Sequence, residues 1–277
     1  MPKTYCSFPF EHQYVHMSGS IRLCCATMEN ATDKKGNRIH MNNDSLQKAW
    51  NSDYMKNARL KMKNGEVLKA CTKCIDQEAR GYKSMRNYEN QESNLANVNA
   101  DGSMNYMPHS MELHFGNVCN LKCKMCGQDY SNQIGKELLE IGEKDKDFLS
   151  WVYKQSGNVN NWTNNLSVQY TWFRNEKTKH RLIDYVSKHI NRLTVIGGEP
   201  TVIPEFYELI DYCYKNDTLK DKDNNNCFHY AVKINNRQFL DTIIPRDRFL
   251  SLKEQDVSNL SLDERNELKK LRDYFEK

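Results

Sequence analysis

The sequence predicts an α/β fold in two parts: a small cysteine-rich α+β module, then a partial, truncated β/α barrel. Three observations lead there. Residues 111–116 (MELHFG) alternate apolar and polar side chains, end in Gly116-Asn117 and pass through a cysteine loop into a helical pattern. An amphipathic helical stretch at 176–190 runs into a second apolar strand that ends in Gly197-Gly198-Glu199-Pro200, and helix alternating with strand is the mark of β/α units. Ahead of both, Cys6, Cys24, Cys25, Cys71 and Cys74 stand among short, differently patterned segments.

Composition bounds what such a chain can do. At 277 residues, with 38% hydrophobic and 27% charged content, it can bury a real core as one large or two small domains. No apolar run approaches the roughly 20 residues of a membrane span. The start, MPKTYCSFPFEHQ, lacks the apolar segment of a secretory signal, so a cytoplasmic location is expected, with no membrane partner. The net charge of +4 is mild and its Lys and Arg residues are scattered among acidic ones, so nucleic acid is not indicated as a partner. Ten cysteines in a reducing compartment favour metal or cluster ligation over disulfides. Cys213 and Cys227, set apart from the rest, read as ordinary thiols.

In chain order, residues 14–23 (YVHMSGSIRL) read as a hairpin about a Ser-Gly turn, which would bring Cys6 and Cys24 together. Residues 45–63 are helix-like, with Leu46, Ala49, Trp50, Tyr54 and Leu60 at the apolar positions, and lead to the Cys71-x2-Cys74 knuckle. This module is assigned residues 1–92. Polar, sparsely apolar sequence then marks a linker at 93–110. The barrel core is assigned 111–216. It opens with the strand at 111–116 and the loop Val118-Cys119-Asn120-Leu121-Lys122-Cys123-Lys124-Met125-Cys126, and a helix at 130–144 follows with Ile134, Leu138, Leu139 and Ile141 in period. Trp151, Trp162, Tyr170 and Trp172 lie in an Asn-rich insertion that they are expected to pin to the core. His180 and His189 read as solvated positions on the 176–190 helix. After Pro200, a helix opens at Pro204 with Phe206, Leu209, Ile210 and Cys213 on one face. Residues 217–277 are a polar linker, short strands near 228–234 and 239–244, and a charged helix opened by a capping box at Ser261.

Three thiolates at C-x3-C-x2-C suit a four-iron, four-sulfur cluster and leave one iron open. With the GGEP strand end, this loop resembles the radical S-adenosylmethionine (radical SAM) superfamily. The amino-terminal pattern, Cys6 and Cys24 followed by Cys71-x2-Cys74, resembles the SPASM and twitch modules that bind auxiliary iron-sulfur clusters in such enzymes. No further cysteine precedes Cys119, which favours the shorter twitch form with one auxiliary cluster on Cys6, Cys24, Cys71 and Cys74. Cys25 is a substitute for Cys24, and tetrahedral zinc suits the same four thiolates.

The resemblance implies that Cys119, Cys123 and Cys126 hold a [4Fe-4S] cluster whose open iron binds S-adenosyl-L-methionine, with Gly197, Gly198, Glu199 and Pro200 beside the methionyl amine and Lys122, Lys124 and Met125 around the cluster. Two glycines at a strand end permit close backbone approach, and Glu199 can accept hydrogen bonds from an ammonium group. Reductive cleavage of the cofactor would yield a 5′-deoxyadenosyl radical that abstracts hydrogen from a peptide, protein or small-molecule substrate, a peptide or protein by analogy with other such enzymes, with an electron donor as partner. A radical SAM core has about six β/α units, and the chain beyond Pro200 is short for them. The short tail is consistent with a compact variant, a fragment completed by a second chain, or a product with a replaced carboxyl end, and the competing class is a non-catalytic iron-sulfur or zinc protein.

Overall fold

The Ser18-Gly19 dipeptide reverses the chain as its composition demands, with Gly19 at φ 82°. The flanking strands, β1 (His12–Val15) and β2 (Ile21–Arg22), pair antiparallel, with Tyr14 opposite Arg22 and Val15 opposite Ile21. This computed structural model describes residues 4–90, 95–124, 126–148, 150 and 169–215, with short segments at 228–229, 232–234, 237–239, 243–244 and 269. The chain divides into two units: Met1–Leu113 with Asn175–Leu193, and His114–Arg174 with Thr194–Lys277.

In the first unit a single turn, α1 (Phe8–Glu11), leads directly into β1. Residues 45–63 form two helices rather than one continuous helix, α2 (Leu46–Trp50) and α3 (Asp53–Lys63). The break has a local cause. The Ser52 hydroxyl accepts the Met55 N–H and starts α3 afresh. Beside it, the Asn51 amide exchanges two hydrogen bonds with the Met104 backbone, each 3.0 Å, so its side chain serves a neighbouring segment. Arg59 on α3 is fully buried, donates to the Pro9 and Trp50 carbonyls at 2.7 Å and lies over the Trp50 ring at 4.3 Å. Around it Tyr5, Phe10, Leu23, Trp50, Met55 and Met62 form the core. The stretch read as a linker contributes Val98 and Met104 to that core. Its Gly102, at φ 83°, approaches so closely that a Cβ would stand 2.4 Å from the Lys56 carbonyl oxygen.

Beyond α3 come α4 (Thr72–Ala79) and α5 (Met85–Glu89), the latter opened by a capping box between Ser84 and Asn87. β3 (Ser110–Phe115) then pairs in parallel with β1, from His12 opposite Ser110 to Val15 opposite Leu113. In the second unit, α6 (Asn132–Lys144) is capped by Ser131. The chain re-enters the first unit as α7 (Glu176–His189), capped by Asn175; its Leu182, Tyr185 and Val186 are buried and the Tyr185 hydroxyl donates to Gln13 Oε1 at 2.8 Å. β4 (Arg192–Gly197) follows, and the sheet order is β2-β1-β3-β4. Pro200 then opens a 3-10 turn and Pro204 opens α8 (Pro204–Lys215).

In the second unit Phe115 stacks with Trp172 at 6.2 Å and meets Phe173 and Phe206 edge-on, so the insertion's end is held by its aromatics. Trp151 and Trp162 lie outside the described residues. The two strands expected late in the chain form four short ones: β5 (Phe228–His229) pairs with β8 (Ile243–Ile244), and β6 (Val232–Ile234) with β7 (Arg237–Phe239). The helix expected from the Ser261 capping box lies outside the described residues, Lys269 apart. Mixed α/β structure is therefore present, but among the described residues the largest sheet has four strands and closes no barrel. No helix among them is long and apolar enough to cross a membrane.

Candidate metal centres

Four cysteines of the first unit converge on one cavity. Cys6 precedes α1, and its segment is strapped down by Ser7 N–H donating to Asn90 Oδ1 at 2.9 Å and Asn90 Nδ2 donating to the Tyr5 carbonyl at 3.0 Å. Cys24 leaves the end of β2. Cys71 stands at the residue just before α4 and Cys74 lies in its first turn, so the x2 spacing puts both on one side of the helix start. All four line the cavity, with Leu23, Met85 and Arg86 among its walls. Burial pushes the thiols of Cys6 and Cys71 up to about 12 and raises Cys24 as well. These thiols are neutral at pH 7, and a metal binding them must displace protons. Cys25 is not among the residues lining the cavity: its Sγ donates to Met85 Sδ at 3.2 Å.

The second cysteine set sits on the loop after β3. Cys119 is buried, Cys123 half-buried and Cys126 exposed. The Cys126 N–H donates to the Cys123 carbonyl at 3.0 Å, closing a turn, and Leu121 N–H donates to Cys119 Sγ at 3.3 Å. Burial raises the Cys126 thiol, and the nearby Cys123 and Cys119 thiols raise it further. Two asparagines that sequence reasoning missed brace this loop. Asn132 Oδ1 accepts the Cys119 N–H at 3.0 Å, and Asn117 Nδ2 donates to the Gln128 carbonyl at 3.4 Å, tying together the residues on either side of the loop. Ser131 donates to the Leu121 carbonyl at 2.7 Å. The only signal was the Ser-Asn pair opening α6, legible as a cap but not as a brace.

The GGEP strand end lies across the start of that loop. Gly198 N–H donates to the Gly116 carbonyl at 3.1 Å and Glu199 N–H to the Val118 carbonyl at 2.8 Å. The glycines are needed for this contact between backbones. A Cβ on Gly198 would lie 2.1 Å from the Val118 carbonyl oxygen, and Gly197 adopts φ 148°. Glu199 is buried; its Oε1 accepts from the Thr201 N–H and hydroxyl at 3.1 and 2.7 Å, capping the turn that Pro200 begins. Glu199 in turn raises the Cys119 thiol, after burial itself.

Within each set the thiols share a site without being drawn into a closed shell: among the described residues no group of three His, Cys, Asp or Glu side chains stands ready around a metal ion. The donor chemistry nevertheless fits, because four soft sulfurs on one cavity suit an iron-sulfur cluster or tetrahedral zinc. Residues 6–75 match the SPASM family, an iron-sulfur cluster-binding domain. This match takes in Cys6, Cys24, Cys71 and Cys74 and supports iron-sulfur binding by the SPASM region. SPASM domains are typical of radical SAM proteins. No curated protein and no solved structure matches the chain.

Proposed function

We propose that the chain is a radical SAM enzyme with one auxiliary iron-sulfur cluster in its SPASM region. The observation that carries this reading is the pair of backbone hydrogen bonds joining the GGEP strand end to the C-x3-C-x2-C loop, because two separate motifs thereby form one site. Cys119, Cys123 and Cys126 are the ligands of the first [4Fe-4S] cluster, and Cys6, Cys24, Cys71 and Cys74 hold the auxiliary one. When bound, the reduced cluster and S-adenosyl-L-methionine supply a 5′-deoxyadenosyl radical that abstracts hydrogen from substrate. The chain's part is positional. Asn117, Ser131 and Asn132 hold the cysteine loop in shape, and the carbonyls and Glu199 of the GGEP turn offer acceptors to the methionyl ammonium group. We assign a peptide or protein substrate, an electron donor and a cytoplasmic location to this activity.

A second reading rests on the four-stranded sheet, which closes no barrel among the described residues. On it, the chain is a non-catalytic iron-sulfur or zinc protein, or needs a second chain to complete its active site. One experiment separates these. Anaerobically reconstituted, chemically reduced protein is given S-adenosylmethionine and assayed for 5′-deoxyadenosine, with Cys126→Ala as control. Product from the wild type alone supports the enzyme; iron and sulfide without product from either favours an incomplete or inactive site. Zinc without iron or sulfide sinks the cluster reading.

A further inference from the structure

Arg86 is a buried guanidinium in the wall of the four-cysteine cavity, and it lies outside the residues matched by the SPASM family. Glu78 orients it: Arg86 Nε donates to Glu78 Oε1 at 3.0 Å, a second nitrogen donates to the other carboxylate oxygen, and Ser84 Oγ donates to Oε1 at 2.5 Å. Such a two-point clamp fixes the plane of the guanidinium as well as its charge. On α4, Cys71, Cys74 and Glu78 fall at i, i+3 and i+7, one face of the helix, so the carboxylate that aims Arg86 is built on the face that carries two candidate ligands. Arg86 also donates toward the carbonyl of Tyr5, the residue before Cys6, at 3.5 Å. Its charge is felt by Cys6, Cys71 and Cys74.

A metal group held by four thiolates is a net anion, and burying an anion is costly without a compensating charge. The other cation in the cavity wall, Lys73, is exposed, where water and salt screen it. We propose that Arg86, aimed by Glu78, is the positioning residue that balances the charge of the auxiliary cluster and sets its reduction potential. This rests on the cluster reading of the SPASM region. Adding one electron to the cluster from a reductant such as dithionite breaks no bond; it adds one negative charge in the cavity, which Arg86 favours and Glu78 opposes.

The test is anaerobic reconstitution of the full chain and its variants, iron and sulfide analysis, then a potentiometric titration of the cluster absorbance and electron paramagnetic resonance signals. The C-x3-C-x2-C loop is removed as a source of signal by carrying Cys119→Ala, Cys123→Ala and Cys126→Ala throughout. Arg86→Gln is expected to shift the ratio of oxidised to reduced cluster at fixed potential about tenfold toward oxidised, about 59 mV for a one-electron couple. Glu78→Gln is expected to shift it the opposite way, and Arg86→Lys to recover part of the loss. A merely structural clamp would move both Gln variants alike or neither. Should Arg86→Gln fail to load, the sign of the Glu78→Gln shift decides. Potentials unchanged in loaded variants overturn the role of Arg86 alone, whereas a background protein without iron and sulfide overturns the cluster reading and this role with it.

Discussion

At the scale of single residues, the two neighbouring cysteines of the SPASM region part company. Cys24 lines the cavity and Cys25 faces Met85. Cys24→Ala is therefore expected to abolish auxiliary iron and sulfide, and Cys25→Ala to retain them; equal loss in both would show that the pair is interchangeable. Gly198 is a different kind of critical residue. Because an added Cβ meets a backbone oxygen that cannot swing aside, Gly198→Ala should destabilise by more than about 3 kcal/mol, read as a shift in urea midpoint. His12 supplies a pH signature. Burial holds its imidazole down at about 4, against an ordinary value near 6.5, with Ser110 Oγ 2.9 Å from Nδ1. The unfolded chain takes up a proton near pH 6.5 that the folded chain refuses until pH 4. Stability is thus lost as pH falls across that window, by at most on the order of 3 kcal/mol, and His12 adds no slope above it. Urea titrations at pH 7 and 4.5 should show this loss reduced in His12→Gln.

At the scale of elements, periodicity made α7 and α8 legible, because each buries an apolar face and begins at a cap or a proline, whereas α6 was legible from its Ser131 cap: its periodic Ile134, Leu138 and Leu139 are only half-buried and Ile141 is exposed. The hairpin was legible from its Ser-Gly turn. What escaped were features whose partners lie far along the chain. The division of residues 45–63 into α2 and α3 depends on Asn51 meeting Met104, and apolar spacing carries no trace of that pairing. Likewise Val98 and Met104 are too few among polar neighbours to announce a core segment, yet a tight Gly102 turn buries both. The GGEP glycines, whose lack of a Cβ permits close approach of a ligand, also make room for the backbone of the cysteine loop, a contact that spacing alone does not reveal. At this scale Ser52→Ala should cost about 1 kcal/mol, since α3 loses its cap, without altering metal content.

At the scale of the molecule, the amino-terminal part of the first unit has short elements, and four thiols stand on one cavity within it. A group that binds those thiols only in the folded state draws its binding energy from folding equilibrium, so loading and stability are one measurement. Metal removal by a chelator is expected to lower the thermal midpoint of the loaded protein by about 10 °C or more. Cys74→Ala should begin at the lower value and show no further fall. The pH dependence of loading follows from the buried thiols. Cys6 and Cys71 sit near 12 in the metal-free fold, so each must surrender a proton on ligation. The sign is fixed: the apparent affinity rises with pH, by up to about tenfold per pH unit for each thiolate formed, until metal hydrolysis intervenes. Midpoint against pH, compared between loaded and chelated protein, measures how many protons leave. A slope near zero would mean that the cavity thiols are not the ligands of the stabilising centre.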